Sequence, residues 1–244
     1  IVQAQQGGIY IHYIIGDIHN SIKEFNSIID QIAPSRQDEI ILLGDVFDRG
    51  GENPDPVGVY FSILRLSMHV NVKWVRGNHD HMLAEYIYSY YGIVEKKRCN
   101  IPPYQYNSFD LMQDRLTQVD LLNLADLIMG LPLQIEINIG SKKYLLAHAM
   151  TFDPALVEQD DTLYLEGLYD MEEYWRQGVK GYVSLVGHTD SSYQYNNPHG
   201  RYLDGNHSIW TNDLENVYML DCGCGLSNGR LACICLETGE RFYA

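Results

Sequence analysis

The sequence predicts an α/β fold of two packed β-sheets with helices outside. Residues 12–75 alternate short apolar runs with helical periodicity, the β-α-β-α-β pattern of parallel strands. From residue 133 onward, short strands at hairpin spacing dominate instead. With 244 residues and 45% hydrophobic content, the chain can fill one large core, so residues 1–244 are expected to form a single domain.

The elements follow in order. His12–Ile15 opens as a strand. Asn20 or Ser21 can cap a helix whose Ile22, Phe25, Ile28, Ile29 and Ile32 recur at i, i+3, i+4 spacing, and Pro34 ends it. Glu39–Leu43 reads as a strand, Pro56–Met68 as a helix and Val70–Val75 as a third strand. Met82–Tyr91 and Phe109–Met129 read as helical on either side of a loop at Pro102-Pro103. Together they form a Tyr-rich helical insert at about 85–129, holding Tyr86, Tyr88, Tyr90, Tyr91, Tyr104 and Tyr106. Leu133–Ile139 and Lys143–Ala147 form a hairpin around Asn138-Ile139-Gly140-Ser141. A helical stretch near Leu168–Arg176 and a strand at Tyr182–Val186 follow. Strands near His207–Thr211, Val217–Cys222, Arg230–Leu236 and Arg241–Tyr243 close the chain.

Composition excludes some roles. A net charge of −15 argues against a nucleic-acid duplex as partner, because that affinity comes from Lys and Arg neutralising phosphates. It does not argue against a phosphate substrate, since bound divalent cations reverse the local field. No apolar run reaches 18 residues, so no membrane span is expected. Residues 1–8 lack the basic and apolar regions of a signal peptide and an initiator Met, and are expected to be a tail or strand lead-in behind a trimmed terminus. Cys222-Gly223-Cys224 and Cys233-Ile234-Cys235 invite a zinc or disulfide reading. Within strands, however, each pair shares a face, and buried thiols of a core hairpin account for them. Free thiols without a secretion signal suit a reducing, cytoplasmic setting.

Five segments carry chemistry: Gly16-Asp17-Ile18-His19-Asn20, the stretch from Gly44-Asp45 to Asp48-Arg49-Gly50, Arg76-Gly77-Asn78-His79-Asp80, His148-Ala149 and Gly187-His188-Thr189. Each offers Asp, Asn or His just after an apolar run that reads as a strand. The carboxyl ends of such strands are where α/β sheets gather their sites. Asp17, His19, Asp45, Asn78, His148 and His188 supply carboxylate, amide and imidazole donors without a thiolate. Such a set suits Mn, Fe, Zn or Co rather than a structural Cys zinc site. His79 follows Asn78 and must face the same place, where Asp48 can orient its ring and raise its pKa. His12, His69, His81, His199 and His207 match no motif and read as structural or solvent-facing.

The motif order GDxH, GDxxDRG, GNH, HA, GHT resembles the phosphoprotein-phosphatase branch of the calcineurin-like metallophosphoesterases. That branch includes Ser/Thr protein phosphatases, phage lambda-type phosphatases and symmetrical diadenosine-tetraphosphate hydrolases. The resemblance spans Asp17 to His188 and extends to the C-terminal strands. It implies a four-layer αββα sandwich with the site at one sheet edge. It also implies two divalent metal ions, Mn²⁺ first, with Fe, Zn, Co or Ni as alternatives. Asp17, His19 and Asp45 would hold one ion; Asp45, Asn78, His148 and His188 would hold the other. A hydroxide bridging the ions would attack phosphorus in line, and His79 with Asp48 would protonate the leaving alkoxide. Arg49 and Arg176 match the family's phosphate-binding arginines, and Arg76 is a further candidate.

The implied activity is hydrolysis of phosphoserine, phosphothreonine or small phosphomonoesters, with a phosphorylated protein or small phosphoester as partner. Three departures bear on that reading. Asn20 stands where Gly is usual, and Asn tolerates left-handed backbone. Asp80 replaces the Glu of protein phosphatases and is more typical of the dinucleoside-tetraphosphate hydrolases, which tend to replace the residue kept here as Asp48. Met150 follows His148-Ala149 where Gly is usual, and would narrow the site or alter the usual loop. One alternative is therefore a dinucleoside-polyphosphate hydrolase on the same centre. Another is a catalytically weak metal-binding or scaffold module, with Met150 as the disabling change. Substrate recognition is expected from the Tyr-rich insert and the Ser191–Asn206 loop.

Overall fold

The computed structural model describes residues 10–93, 104–156 and 159–244. The N-terminal stretch 1–8, the Pro102-Pro103 loop and Cys99 lie outside the described residues. Strands β1 (His12–Ile15), β2 (Glu39–Leu42) and β3 (Asn71–Trp74) pair in parallel, with Tyr13 opposite Ile40 and Ile40 opposite Val72. Helices α1 (Ile22–Ile32) and α2 (Pro56–Ser67) make the two crossovers. α1 stops where Ala33 turns left-handed ahead of Pro34. α2 starts on Asp55, whose carboxylate accepts from Gly58 N–H, with Pro56 at the first helical position.

β11 (Arg230–Cys235) joins β1 antiparallel, and β10 (Asp221–Cys222) and β12 (Arg241–Tyr243) pair with successive parts of β11. The second sheet runs in the order β4 (Gln134–Ile139), β5 (Lys142–Ala147), β6 (Val183–Val186), β9 (Val217–Met219), β8 (Trp210–Asn212), β7 (Gly200–Tyr202). Within it β5, β6 and β9 are parallel, so both sheets are mixed.

Side-chain alternation divides the core into layers. Ile14, Ile41 and Leu43 of the first sheet meet Ile137, Leu146 and Leu185 of the second. Their chain neighbours Tyr13, Ile15, Ile40 and Leu42 point the other way, onto a helical layer. That layer contains Phe25 and Ile28 of α1, Ile63 of α2, Leu83 and Ile87 of α3 (Asn78–Tyr90), and Leu121 and Leu124 of α5 (Gln118–Met129). Burial of both faces explains why these strands read as unbroken apolar runs. Each buried Ile or Leu contributes roughly 1.5–3 kcal/mol against exposure. On the outside of the second sheet, Met171 and Tyr174, at the start of α7 (Glu172–Gln177), pack on Val186, Trp210, Val217 and Met219. The order is helices, sheet, sheet, helix, the αββα sandwich implied by the motifs. Among the described residues no helix is long and apolar enough to cross a membrane.

Several boundaries differ from expectation. α3 begins at Asn78, four residues early, because Asp80 accepts from Gly77 N–H and starts the helix there. Residues 109–129 are two helices, α4 (Ser108–Gln113) and α5, because Thr117 and Asp120 cap each other and start a new one. The helical stretch near 168–176 is α7 alone, preceded by an unforeseen α6 (Asp161–Glu166). Val217–Cys222 is not one strand: β9 belongs to the second sheet and β10 to the first, with Leu220 between them. Cys222 and Cys224 consequently do not share a face. Gly223, at φ 77°, turns the chain, so Cys222 packs between the sheets and Cys224 under the helices. All four described cysteines are buried and free.

Candidate metal centre

The five motif segments follow β1, β2, β3, β5 and β6. Because β1–β3 run parallel and β5 runs parallel to β6, all five turns emerge at one edge of the sandwich. The turns also hold one another. Ile18 and His19 N–H both donate to the Asp45 carbonyl, and Gly187 N–H donates to the His148 carbonyl. His19, Asn20, Asp45, Asp48, Arg49 and His188 all have positive φ. Left-handed backbone at non-Gly residues costs of order 1–3 kcal/mol each and persists only where the surroundings over-determine it. Here the constraint is visible in Asp80. Its buried carboxylate accepts from Val46, Phe47 and Gly77 N–H and from the Trp74 indole, and so shapes the Asp45–Asp48 loop from beneath. Asp80 therefore faces the loop interior, and its departure from Glu bears on loop shape before substrate.

The six candidate donors converge. Asp17, Asp45 and His148 each present a ligand atom within 4.8 Å of the others. His19 Nε2 lies 3.8 Å from Asp45 Oδ2, and His148 Nε2 lies 3.3 Å from Asp45 Oδ1. Asn78 Oδ1 lies 2.9 Å from His148 Nε2 and 3.3 Å from His188 Nδ1. Two rings have settled tautomers. His19 Nδ1 donates to the Phe47 carbonyl and His148 Nδ1 to the Leu43 carbonyl, which leaves each Nε2 to face the cluster.

Electrostatics point the same way. Burial, then Asp221, pushes the Asp17 carboxyl well above its ordinary value. Burial also acts against Asp45, but His148 and His79 hold its carboxyl well below the usual range. Burial lowers His19 to about 3, and burial together with His148 lowers His188 to about 3. Burial acts downward on His148, but Asp45, together with Asp17 and the Leu43 carbonyl, raises it to about 10. Asp17 Oδ1 is buried without a hydrogen-bond partner. An orphaned carboxylate oxygen, crowded carboxylates and the neutral imidazoles of His19 and His188, with no thiolate among them, fit a divalent cation.

His79 stands beside this cluster. Its Nδ1 lies 3.1 Å from Asp48 Oδ2, and its Nε2 faces inward, 3.9 Å from Asp45 Oδ2. Burial lowers its pKa, but Asp45 and Asp48 together raise it above the ordinary histidine value. Arg49 bridges the two rings at the mouth, 3.1 Å from His19 Nε2 and 3.3 Å from His79 Nε2.

The other two arginines stand in different surroundings. Arg76 is buried and reaches His81 Nδ1 and Met129 Sδ, under the packing of α3 on α5. His81 is likewise buried, with a pKa lowered to about 4 by burial and Arg76. Arg176 is exposed on α7; its carbonyl accepts from Asn212, and its guanidinium has no partner among the described residues. A cleft of about 520 Å³ beside His188 is lined by its neighbour Trp175 and by Tyr169, Glu166, Asp170 and Glu172. Met150 packs against the cluster of Met171, Tyr174, Val186, Trp210, Val217 and Met219 on the outer face of the second sheet.

Sequence reasoning missed a supporting set. Tyr104 donates to Asp48 Oδ1 at 2.8 Å, Ser108 N–H donates to the same oxygen, and Ser108 Oγ accepts from Asp48 N–H. Asn20 Nδ2 donates to Ser108 Oγ, so the residue replacing the usual Gly ties the first turn to α4. The Tyr106 ring lies 4.2 Å from that of His79. The Tyr-rich composition of this segment was the only signal available for it.

Gly187 tests the packing of the centre. A Cβ there would lie 2.0 Å from Asp17 Oδ1. Gly187→Ala is expected to displace the Asp17 carboxylate and weaken divalent-metal binding by about tenfold or more, read by titrating metal into stripped protein. Unchanged affinity would remove Asp17 from the ligand set.

A family model described as calcineurin-like phosphoesterase matches residues 13–219. The symmetrical bis(5'-nucleosyl)-tetraphosphatase of Erwinia tasmaniensis is 33% identical over 139 residues, 56% of this chain and 43% of that protein. The chain thus spans less than half the length of that curated relative. Among solved structures, a candidate diadenosine tetraphosphatase superposes with a TM-score of 0.62 at 18% identity, covering 98% of this chain and 94% of the other. A Ser/Thr phosphatase of Saccharomyces cerevisiae superposes with a TM-score of 0.58 at 13% identity, covering 94% and 74%. At these identities the likeness is one of fold.

Proposed function

The chain belongs to the calcineurin-like phosphoesterase family, and from that premise we propose that it is a metal-dependent hydrolase of phosphomonoesters, phosphoserine and phosphothreonine among them. The observation that carries this reading is the His79–Asp48 pair, 3.1 Å apart, beside the carboxylate cluster. Asp17, His19 and Asp45 would hold one divalent ion and Asp45, Asn78, His148 and His188 a second, Mn²⁺ first. Bound there, such ions would polarise phosphate oxygens and make water nucleophilic at neutral pH.

The chain's own groups would do the rest. Arg49, at the mouth between His19 and His79, offers a guanidinium fork to phosphate oxygens. His79 Nε2 would give its proton to the leaving oxygen as the P–O bond breaks. Asp48, held by Tyr104 and Ser108, would keep the ring turned inward and stabilise its charged form.

A second reading is hydrolysis of dinucleoside polyphosphates on the same centre. It is favoured by the named activity of the Erwinia tasmaniensis relative and by the partly exposed Tyr106, whose ring could stack on a base. The two readings separate when metal-stripped protein, with and without Mn²⁺, is given a phosphopeptide and diadenosine tetraphosphate side by side and phosphate release is followed. Mn²⁺-dependent turnover of the phosphopeptide in preference is the expected result. Preference for the dinucleotide would replace the first reading with the second, and silence on both with metal bound would sink both.

A further inference from the structure

We infer that Glu166 is a positioning residue that decides which atom of Asn78 faces the metal cluster, an inference that rests on reading Asn78 as a ligand. Asn78 is buried at the start of α3, and its amide touches groups at both ends. Oδ1 faces His148 Nε2 and His188 Nδ1, while Nδ2 donates to Glu166 Oε1 at 3.0 Å. An amide can turn over, exchanging oxygen for nitrogen at nearly the same positions. Only one orientation is useful here. The amide oxygen has lone pairs for a cation; the NH₂ group has none. A carboxylate can only accept, so with Glu166 opposite, the flipped amide would set oxygen against oxygen and aim N–H groups at the cluster. The Glu166 carboxylate thus removes the unproductive orientation.

Its own position is tied to the same site. Glu166 ends α6, where Leu165 is fully buried and Gly167 N–H returns to the Leu163 carbonyl. The Tyr164 carbonyl accepts from Ala149 N–H, the residue after His148. The helix carrying Glu166 is therefore clamped to the strand end carrying His148, and the orienting group and the ring it serves are positioned together. Glu166 lies 88 residues from Asn78 in sequence and belongs to no motif.

The test titrates Mn²⁺ into metal-stripped wild type, Glu166→Ala, Glu166→Gln and Asn78→Ala by calorimetry, with thermal melts of each stripped protein. Glu166→Ala is expected to weaken one binding event by about 10–100-fold, the usual effect of losing an outer partner of a ligand. Glu166→Gln, whose Oε1 still accepts, should recover most of that loss. The discriminating variant is Asn78→Asp, which presents an oxygen in either orientation. In that background Glu166→Ala should no longer weaken binding. Wild-type affinity in Glu166→Ala alongside a weakened Asn78→Ala overturns the inference, as does a loss that persists unchanged in the Asn78→Asp background. Wild-type affinity in Asn78→Ala would instead overturn the ligand reading on which it rests.

Discussion

His79→Asn is expected to lower turnover by about 10²–10⁴-fold, the usual contribution of a positioned general acid, while metal content stays at the wild-type level. The two halves of this expectation come from different atoms of one residue. The side chain supplies the proton: Nδ1 is held by Asp48, and Nε2 is turned toward Asp45. The backbone supports the cluster: His79 N–H donates to Asp45 Oδ1 at 2.9 Å, and this bond survives any side-chain replacement. Asn also preserves a polar group of moderate size beside Arg49, so the mouth of the site is not opened to a cavity. The measurements are steady-state phosphate release and metal content after dialysis. Loss of metal together with activity would mean that the ring supports the centre, and the acid assignment would fail.

Asp45→Asn is expected to have the opposite signature, with metal binding and turnover lost together. The Asp45 carboxylate lies between the two groups of donors. His148 approaches Oδ1 at 3.3 Å, while His19 and His79 approach Oδ2 at 3.8 and 3.9 Å. It is also the carboxyl held well below the usual range, with His148 and His79 overcoming its burial. Asparagine keeps the shape and one acceptor but removes the carboxylate, and its NH₂ cannot share a cation. The loss of affinity should exceed the roughly 10–100-fold typical of an outer partner. A variant that still carries wild-type metal would show that Asp45 is not shared, and would confine the ligands to one side of it.

Most of the candidate centre was legible in the sequence because its candidate donors are coded locally. Each of Asp17, Asp45, Asn78, His148 and His188 follows an apolar run within a residue or a few, and parallel strands carry such positions to a common edge. The αββα layering was legible for a related reason. Strands buried on both faces leave continuous apolar runs, and α1 and α2 leave helical periodicity between them. Prediction failed where the chain leaves regular structure. Period-two reasoning put Cys222 and Cys224 on one face, but it lapses at Gly223, where φ is positive. It carried Val217–Cys222 as one strand, because nothing local marks Leu220 as the point where the chain changes sheets.

By itself, then, the sequence marked the layered fold, the six candidate donors and the candidate His79–Asp48 pair, because each of these residues lies in a short motif at the end of an apolar run. Only the tertiary structure decided what Arg76 reaches and what Met150 packs against. It alone assembled the supporting shell of Asn20, Tyr104, Ser108 and Glu166 around the motifs. The physical reason is the range of the contacts. A hydrogen bond between residues 56 or 88 positions apart depends on how separate elements pack, and no local periodicity records it.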